Sequence, residues 1–212
     1  MLLKFLRSLF VVALLAPAAG AAPTPAASSP GPEQVVHELT DSVMNAVHAD
    51  PALRSGDPRK IAQMVETKVL PFLDFRQMTA SAVGRYWRQA TPQQQQELQD
   101  QFKQLLIHTY SGAVSRIRNQ KIRYLPLRAD PGATNVVVRT RVIDQGDVIQ
   151  LDYRLLEVGG AWKISDVNVM GIWLVDNYRG VFAQEISSKG IDGLIKTLQQ
   201  RNQALAASGG KG

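Results

Sequence analysis

Between Ala161 and Gly193 the apolar residues change period, and a chain that does this must turn a strand directly into a helix. Up to Met170 they alternate, with Trp162, Ile164, Asp166, Asn168 and Met170 on one side and Lys163, Ser165, Val167 and Val169 on the other. From Ile172 they recur at helical spacing: Val175, Tyr178, Phe182 and Ile186 form one stripe, with Leu174 and Val181 beside it. Gly171 marks the junction. A strand running into an amphipathic helix folds one apolar surface over another. Trp173, Tyr178 and Phe182 are large enough to wall a space between them or to fill it, and the residues alone allow both.

The strand belongs to a meander. Segments 121–127, 134–143, 148–157 and 161–170 alternate, separated by the turn signals Ala129-Asp130-Pro131-Gly132, Gln145-Gly146 and Gly159-Gly160. Val136, Val138 and Val142 share one face of the second strand, and Ile149, Leu151, Tyr153 and Leu155 one face of the third. Each strand thus has one apolar side, as a sheet covered by helices on one face requires. Pro126 cannot donate to a ladder and places the first strand at an edge.

Upstream the pattern is helical. A first helix runs from Pro32 to about His48 with Val35, Val36, Leu39, Val43 and Val47 inward. A second opens at Asp57-Pro58 and ends before Pro71. Asp74 to Ala82 puts Phe75, Met78 and Ala82 on one side until Gly84 stops it. Thr91-Pro92-Gln93-Gln94 reads as a capping box for a helix of about 27 residues, roughly 40 Å, enough to lie across a sheet. Its stripe is Leu98, Phe102, Leu105, Leu106, Tyr110, Ala113 and Ile117. Helices, a meander, then two more helical segments predict an α+β fold, an antiparallel sheet of about four strands covered by several helices.

Residues 1–21 carry Lys4 and Arg7, an apolar run from Leu9 to Leu15 and an Ala19-Gly20-Ala21 site, the layout of a cleaved signal peptide. That run is shorter than the roughly 20 residues a bilayer span needs. Residues 22–32, rich in Pro, Ala and Ser, read as a disordered linker, 33–206 as a single domain and 207–212 as a flexible tail. Removing the leader lowers the formal charge from +6 to about +4, which favours anionic surfaces without demanding nucleic acid. The chain has no cysteine, which excludes disulfides and thiolate metal sites, and at 45% hydrophobic residues it can build one sizeable core.

Few residues offer chemistry. His37 and His48 lie about 16 Å apart along one helix and cannot share a metal; with His108 they read as solvent-facing, and no metal or cofactor is expected. No nucleophile-elbow, P-loop, dinucleotide or zincin motif occurs. Asp152 falls on the strand face opposite Leu151 and Tyr153, away from any pocket they line. Asp166 shares a side with Trp162 and Ile164, where a structural hydrogen bond competes with a role as a base. Arg116, Arg118, Lys121, Arg123, Arg128, Arg139 and Arg141 meet one acid, Asp130. This cluster is either a solvated edge or a docking surface for anionic headgroups or an acidic partner, with Arg139 and Arg141 the docking candidates.

The run W-K-I-S-D-V-N-V-x-G-I-x-L-V-x-N-Y-R-G-x-F from Trp162 to Phe182, followed by G-I-D-G-L-I-K-T-L from Gly190 to Leu198, resembles the MlaC family of periplasmic phospholipid-binding proteins, also called toluene-tolerance proteins. V-L-P-F-L-D-F-R-Q-M-T-A from Val69, G-R-Y-W-R-Q-A-T from Gly84 and L-L-I-H-T-Y-S-G-A from Leu105 fit the same pattern in the same order. The resemblance implies a nuclear-transport-factor-like cone enclosing an apolar cavity, and a monomeric periplasmic carrier without enzymatic activity. Such a carrier would exchange phospholipid with an inner-membrane ABC transporter complex and an outer-membrane lipoprotein–porin complex, maintaining outer-membrane asymmetry. The expected acyl-chain contacts are Phe75, Met78, Trp87, Leu106, Tyr110, Val138, Leu151, Tyr153, Val169, Ile172, Trp173, Val175, Tyr178 and Phe182. Met170, like Met78, would suit variable chains because thioethers repack easily. Two other readings stay open: a small isomerase or hydrolase-like enzyme using an aspartate in the same pocket, and a structural adaptor with a filled core.

Overall fold

The helices begin where the sequence supplies caps. In the computed structural model, which describes residues 29–207, helix α1 (Pro32–Ala49) opens with proline in its first turn. The expected leader and most of the linker lie outside the described residues, as does the expected tail beyond Ala207. A short α2 (Pro51–Arg54) follows, then α3 (Pro58–Met64), whose N-cap Asp57 accepts from the Arg59 and Lys60 amides. The predicted second helix is compound: α3 passes into a π turn (Val65–Val69) and then a 3₁₀ turn (Leu70–Phe72) around Pro71, which cannot continue an α-helix. Asp74 caps α4 (Phe75–Val83) through the Gln77 amide, and Gly84, at φ 63°, ends it. A 3₁₀ segment (Gly84–Gln89) leads to α5 (Pro92–Val114), where Thr91 and Gln94 form the reciprocal capping box.

Among the described residues the meander has five strands in the order β1-β2-β3-β4-β5, all antiparallel: β1 (Lys121–Tyr124), β2 (Asn135–Asp144), β3 (Asp147–Val158), β4 (Ala161–Val169) and β5 (Ile172–Trp173). The fifth is a two-residue strand that the sequence hides inside the strand-to-helix junction. β1 is the predicted edge. Helix α6 (Leu174–Ala207) carries a non-helical residue, Gly190 at φ 73°, so the two expected helical segments form one broken helix. Its N-terminus is capped from the sheet, by the Asp166 carboxylate accepting the Val175 amide at 2.9 Å.

Among the described residues the apolar side chains gather in three clusters. One is purely helical, built by α4, α5 and α6 around Leu98, Phe102, Phe182 and Leu194. A second joins α1 to one face of the sheet through Val35, Val36 and Leu39 against Val136, Val138, Tyr153, Leu155 and Ile164. A third packs Val47, Leu53, Ile61, Met64 and Ile107 where α1, α2, α3 and α5 meet. The expectation that the long helix spans the sheet is corrected here. α5 has 23 residues and packs on α6 between α3 and α4, while α1 lies on the apolar sheet face. Its buried line accordingly runs through Ile107 and Ser111, leaving Ala113 exposed, because neighbours stand on more than one side of α5.

Candidate functional site

The apolar face of the sheet is set by register. Val136 faces Leu155, Val138 faces Tyr153, Thr140 faces Leu151 and Val142 faces Ile149 across β2 and β3. On β4, Ile164 opposes Leu155 but Asp166 opposes Arg154, so Ser165 is an extra residue in a β-bulge. A bulge shifts alternation by one. It therefore moves Val167 and Val169 onto the apolar face with Trp162 and Ile164 and sends Asp166 and Asn168 to the other, which corrects the strict alternation expected for this strand.

α1 covers only part of this face. Around the buried residues stands a margin of partly buried apolar side chains, larger in number than the buried set: Val43 from α1, Val69, Phe72 and Leu73 from the turns after α3, Tyr124 and Leu127 near β1, Ala133, and Leu151, Trp162 and Val167 from the sheet. The helical cluster has the opposite balance, with many more buried than partly buried members. An apolar surface of this kind can take up hydrocarbon without first displacing a packed side chain. One polar spot interrupts it. Thr40 donates to the Val36 carbonyl close to the phenols of Tyr124 and Tyr153, and His37, exposed as expected, stacks on Tyr124 at 3.5 Å. Burial holds the Tyr153 hydroxyl far above the usual phenol range, so it stays a neutral hydrogen-bonding group.

The residues expected at the site divide between two places. Met78, Trp87, Val175, Tyr178 and Phe182 are buried in the helical cluster, where Phe102 meets Tyr178 and Phe182 edge-on at 5.0 and 5.2 Å. Phe75 and Leu106 pack at that cluster's margin, and Tyr110 is half-buried near Tyr178. Val138, Tyr153 and Leu151 lie on the sheet face, with half-buried Val169 opposite Leu151. Three residues stand elsewhere. Trp173 pairs with Asn168 and lies under the Arg154 guanidinium at 4.2 Å, on the polar face, while Ile172 and Met170 are 57% and 71% exposed. The margin residues Phe72 and Leu73 are not among the expected contacts. They reach the sheet through a parallel bridge from Leu73 to Ile164, a pairing that no local pattern announces.

On the polar face two carboxylates are tied down. Asp152 accepts from Arg141 at 3.0 Å, from Gln150 at 2.6 Å and from the Thr140 amide at 3.2 Å. Asp166 accepts from Arg154 at 3.1 Å and from the Val167 and Val175 amides. Both point away from the apolar face. Arg141 is therefore committed to Asp152, whereas Arg139 is exposed. Among the described residues no group of three His, Asp or Glu side chains could hold a metal ion. Among the same residues no helix is long and apolar enough to cross a membrane.

The family profile described as "MlaC protein" matches residues 37–200. A solved structure of a phospholipid-binding protein from Ralstonia solanacearum, in complex with a phospholipid, superposes with a TM-score of 0.80 at 43% identity, covering 82% of this chain and 98% of that one. The toluene tolerance protein ttg2D of Pseudomonas putida is 30% identical over 168 residues, 79% of this chain and 78% of its own length. The intermembrane phospholipid transport system binding protein MlaC of Haemophilus influenzae is 21% identical over 174 residues, 80% and 81% of the two chains.

Proposed function

This chain belongs to the MlaC family, and from that premise we propose that it is a phospholipid-binding transport protein that holds acyl chains against the apolar face of its sheet. The observation that carries the reading is the incompletely covered apolar face between α1 and β2–β4, in a fold shared with a relative whose structure contains a phospholipid. The physical need is plain. Two sixteen-carbon chains exposed to water cost on the order of 20 kcal/mol at about 0.8 kcal/mol per CH₂, so free diffusion between membranes is negligible. A carrier that buries the tails and leaves the headgroup hydrated removes that cost without desolvating a charge. In this reading the protein is exported to the periplasm by its N-terminal leader and shuttles lipid between an outer-membrane lipoprotein–porin complex and an inner-membrane ABC transporter complex. No side chain is assigned a catalytic role.

Native mass spectrometry of protein purified from cells tests the reading: a carrier emerges with phospholipid bound. Leu151→Trp should cut the lipid-bound fraction severalfold with little change in melting temperature, because Leu151 is a margin residue. Val175→Trp should instead destabilise by about 1–3 kcal/mol through overpacking and leave the lipid content of the folded fraction unchanged, because Val175 is 2% exposed in the helical cluster. Protein that emerges empty, or a Leu151→Trp variant that keeps its lipid while melting lower, would refute the proposal.

A further inference from the structure

Among the described residues the large apolar side chains most exposed to solvent are Met170, Val148 and Ile172, at 71%, 63% and 57%. They are not scattered. Val148 opposes Ile143, and Ile143 opposes Lys121, so these three form one row across β3, β2 and β1. Met170 donates its amide to the Gln150 carbonyl, two residues from Val148, and Ile172 opposes Val169. The β2–β3 and β4–β5 hairpins therefore place their tips at one end of the sheet.

Neither local conformation nor the core accounts for an apolar residue at position 170. Met170 occupies the left-handed region at φ 52°, which glycine and asparagine adopt more readily, and its side chain packs on little. Cations stand at the same end of the sheet, on the β1 edge opposite the β4–β5 tip. Lys121 is in the same row, and Arg116 and Arg118 lie just before it in the chain; all three are exposed, and none forms an ion pair among the described residues. Asp144 and Asp147 pair across the β2–β3 hairpin, and Asp50 and Asp57 lie within two residues of His48 and Gly56, which touch Arg118 and Ser115.

We infer that this end of the sheet is a membrane-contact surface, in which the Met170–Ile172 tip enters the interfacial region of an anionic phospholipid bilayer while Lys121, Arg116 and Arg118 meet its headgroups. Two protruding tips suit a yielding medium, since a rigid partner would need a separate pocket for each. The positive charge complements an anionic surface. The position also deepens the carrier reading, on which this part rests: the row Thr140–Leu151–Val169–Ile172 crosses the sheet from a buried residue to the exposed tip, giving acyl chains an apolar path from bilayer to binding face.

The test is co-sedimentation of the full mature protein with vesicles of phosphatidylethanolamine and phosphatidylglycerol, with native mass spectrometry of the same samples. Met170→Asn combined with Ile172→Thr should reduce the vesicle partition constant about tenfold, as expected for withdrawing two apolar side chains from the interface. Its melting temperature should be unchanged or higher, because asparagine tolerates the left-handed backbone. Arg116→Glu with Lys121→Glu should weaken binding to these vesicles, more at low salt than at high, and leave binding to phosphatidylcholine vesicles unaffected. Wild-type protein that ignores vesicles, tip variants that bind as wild type does, or a tip that crosslinks only to a protein partner would each overturn the inference. Lipid-loaded protein that ignores vesicles removes this surface and spares the carrier; empty protein that binds vesicles through the tip removes the carrier and spares the surface.

Discussion

Asp166 shows how a single side chain joins the two halves of this chain. It is 1% exposed, caps α6 through Val175, and holds Arg154 against Trp173. Burial raises its pKa above the ordinary 3.8, opposed by the two backbone amides and by Arg154, and the neighbouring Asp176 adds to the rise. The folded state thus binds this proton more tightly than the unfolded chain does. The contribution of Asp166 to stability is therefore fullest below the unfolded value and declines as pH rises through the raised folded value. Carboxyl NMR should place its midpoint above 3.8; a lower midpoint would mean that the hydrogen bonds outweigh burial. Asp166→Ala should cost about 1–3 kcal/mol in chemical denaturation, chiefly for the stranded Val175 amide. Asp166→Asn and Asp152→Asn should leave lipid binding and transfer nearly intact, and a large loss of transfer in a folded variant would point to an enzyme.

Among the elements, α6 makes the sharpest prediction because two of its three glycines, Gly180 and Gly190, stand in opposite situations. Gly190 breaks the helix at φ 73° and ψ −179°, a region essentially closed to other residues, although a Cβ there would meet nothing within 4 Å. Gly180 lies within a regular turn, also with open space around it. Gly190→Ala should therefore destabilise by about 1–3 kcal/mol and Gly180→Ala should stabilise by about 0.5–1 kcal/mol, both measurable by thermal unfolding. Equal effects of the two would mean that the break is not fixed by the backbone of Gly190. Glu185 accepts from Lys189 and, across the break, from Thr197, and these hydrogen bonds lower its pKa. That tie is present above the unfolded glutamate value and is lost as pH falls through the lowered folded value. Protection factors of the amides in residues 191–207, corrected for the intrinsic exchange rate, should accordingly fall on acidification through that range.

At the scale of the whole molecule, one apolar surface is closed and another is open. The helical cluster interdigitates aromatic rings around Phe102, while the sheet cluster ends in a margin of half-covered side chains. The two meet at Leu73, which packs against both. Charge is divided in the same way. Arg139 is exposed, whereas Arg141 neutralises an aspartate that is 4% exposed. Arg141→Glu should cost about 2–3 kcal/mol, allowing for the solvent that reaches its side chain, because it sets one carboxylate against another. Arg139→Glu should leave the melting temperature unchanged and slow lipid transfer to acidic partners or anionic membranes. Similar melting temperatures for the two variants would show that the pair with Asp152 is not structural.

Local rules determined most of the elements of this chain. Asp57, Asp74 and the Thr91–Gln94 box start helices, Gly84 stops one, and alternation with its turn signals lays out the meander. These depend on residues within four positions of each other, so sequence carries them whole. The candidate site did not follow in the same way. Core and proposed binding wall use the same apolar residues, and only the placement of α1 on the sheet and α5 on α6 put Leu151 and Phe182 in different clusters. The bulge at Ser165 turned Asp166 away from the apolar face, and Leu73 came to the sheet through a bridge to a residue far along the chain. Such long-range pairings are fixed by the burial energy of the assembled molecule, which no short stretch of the chain contains.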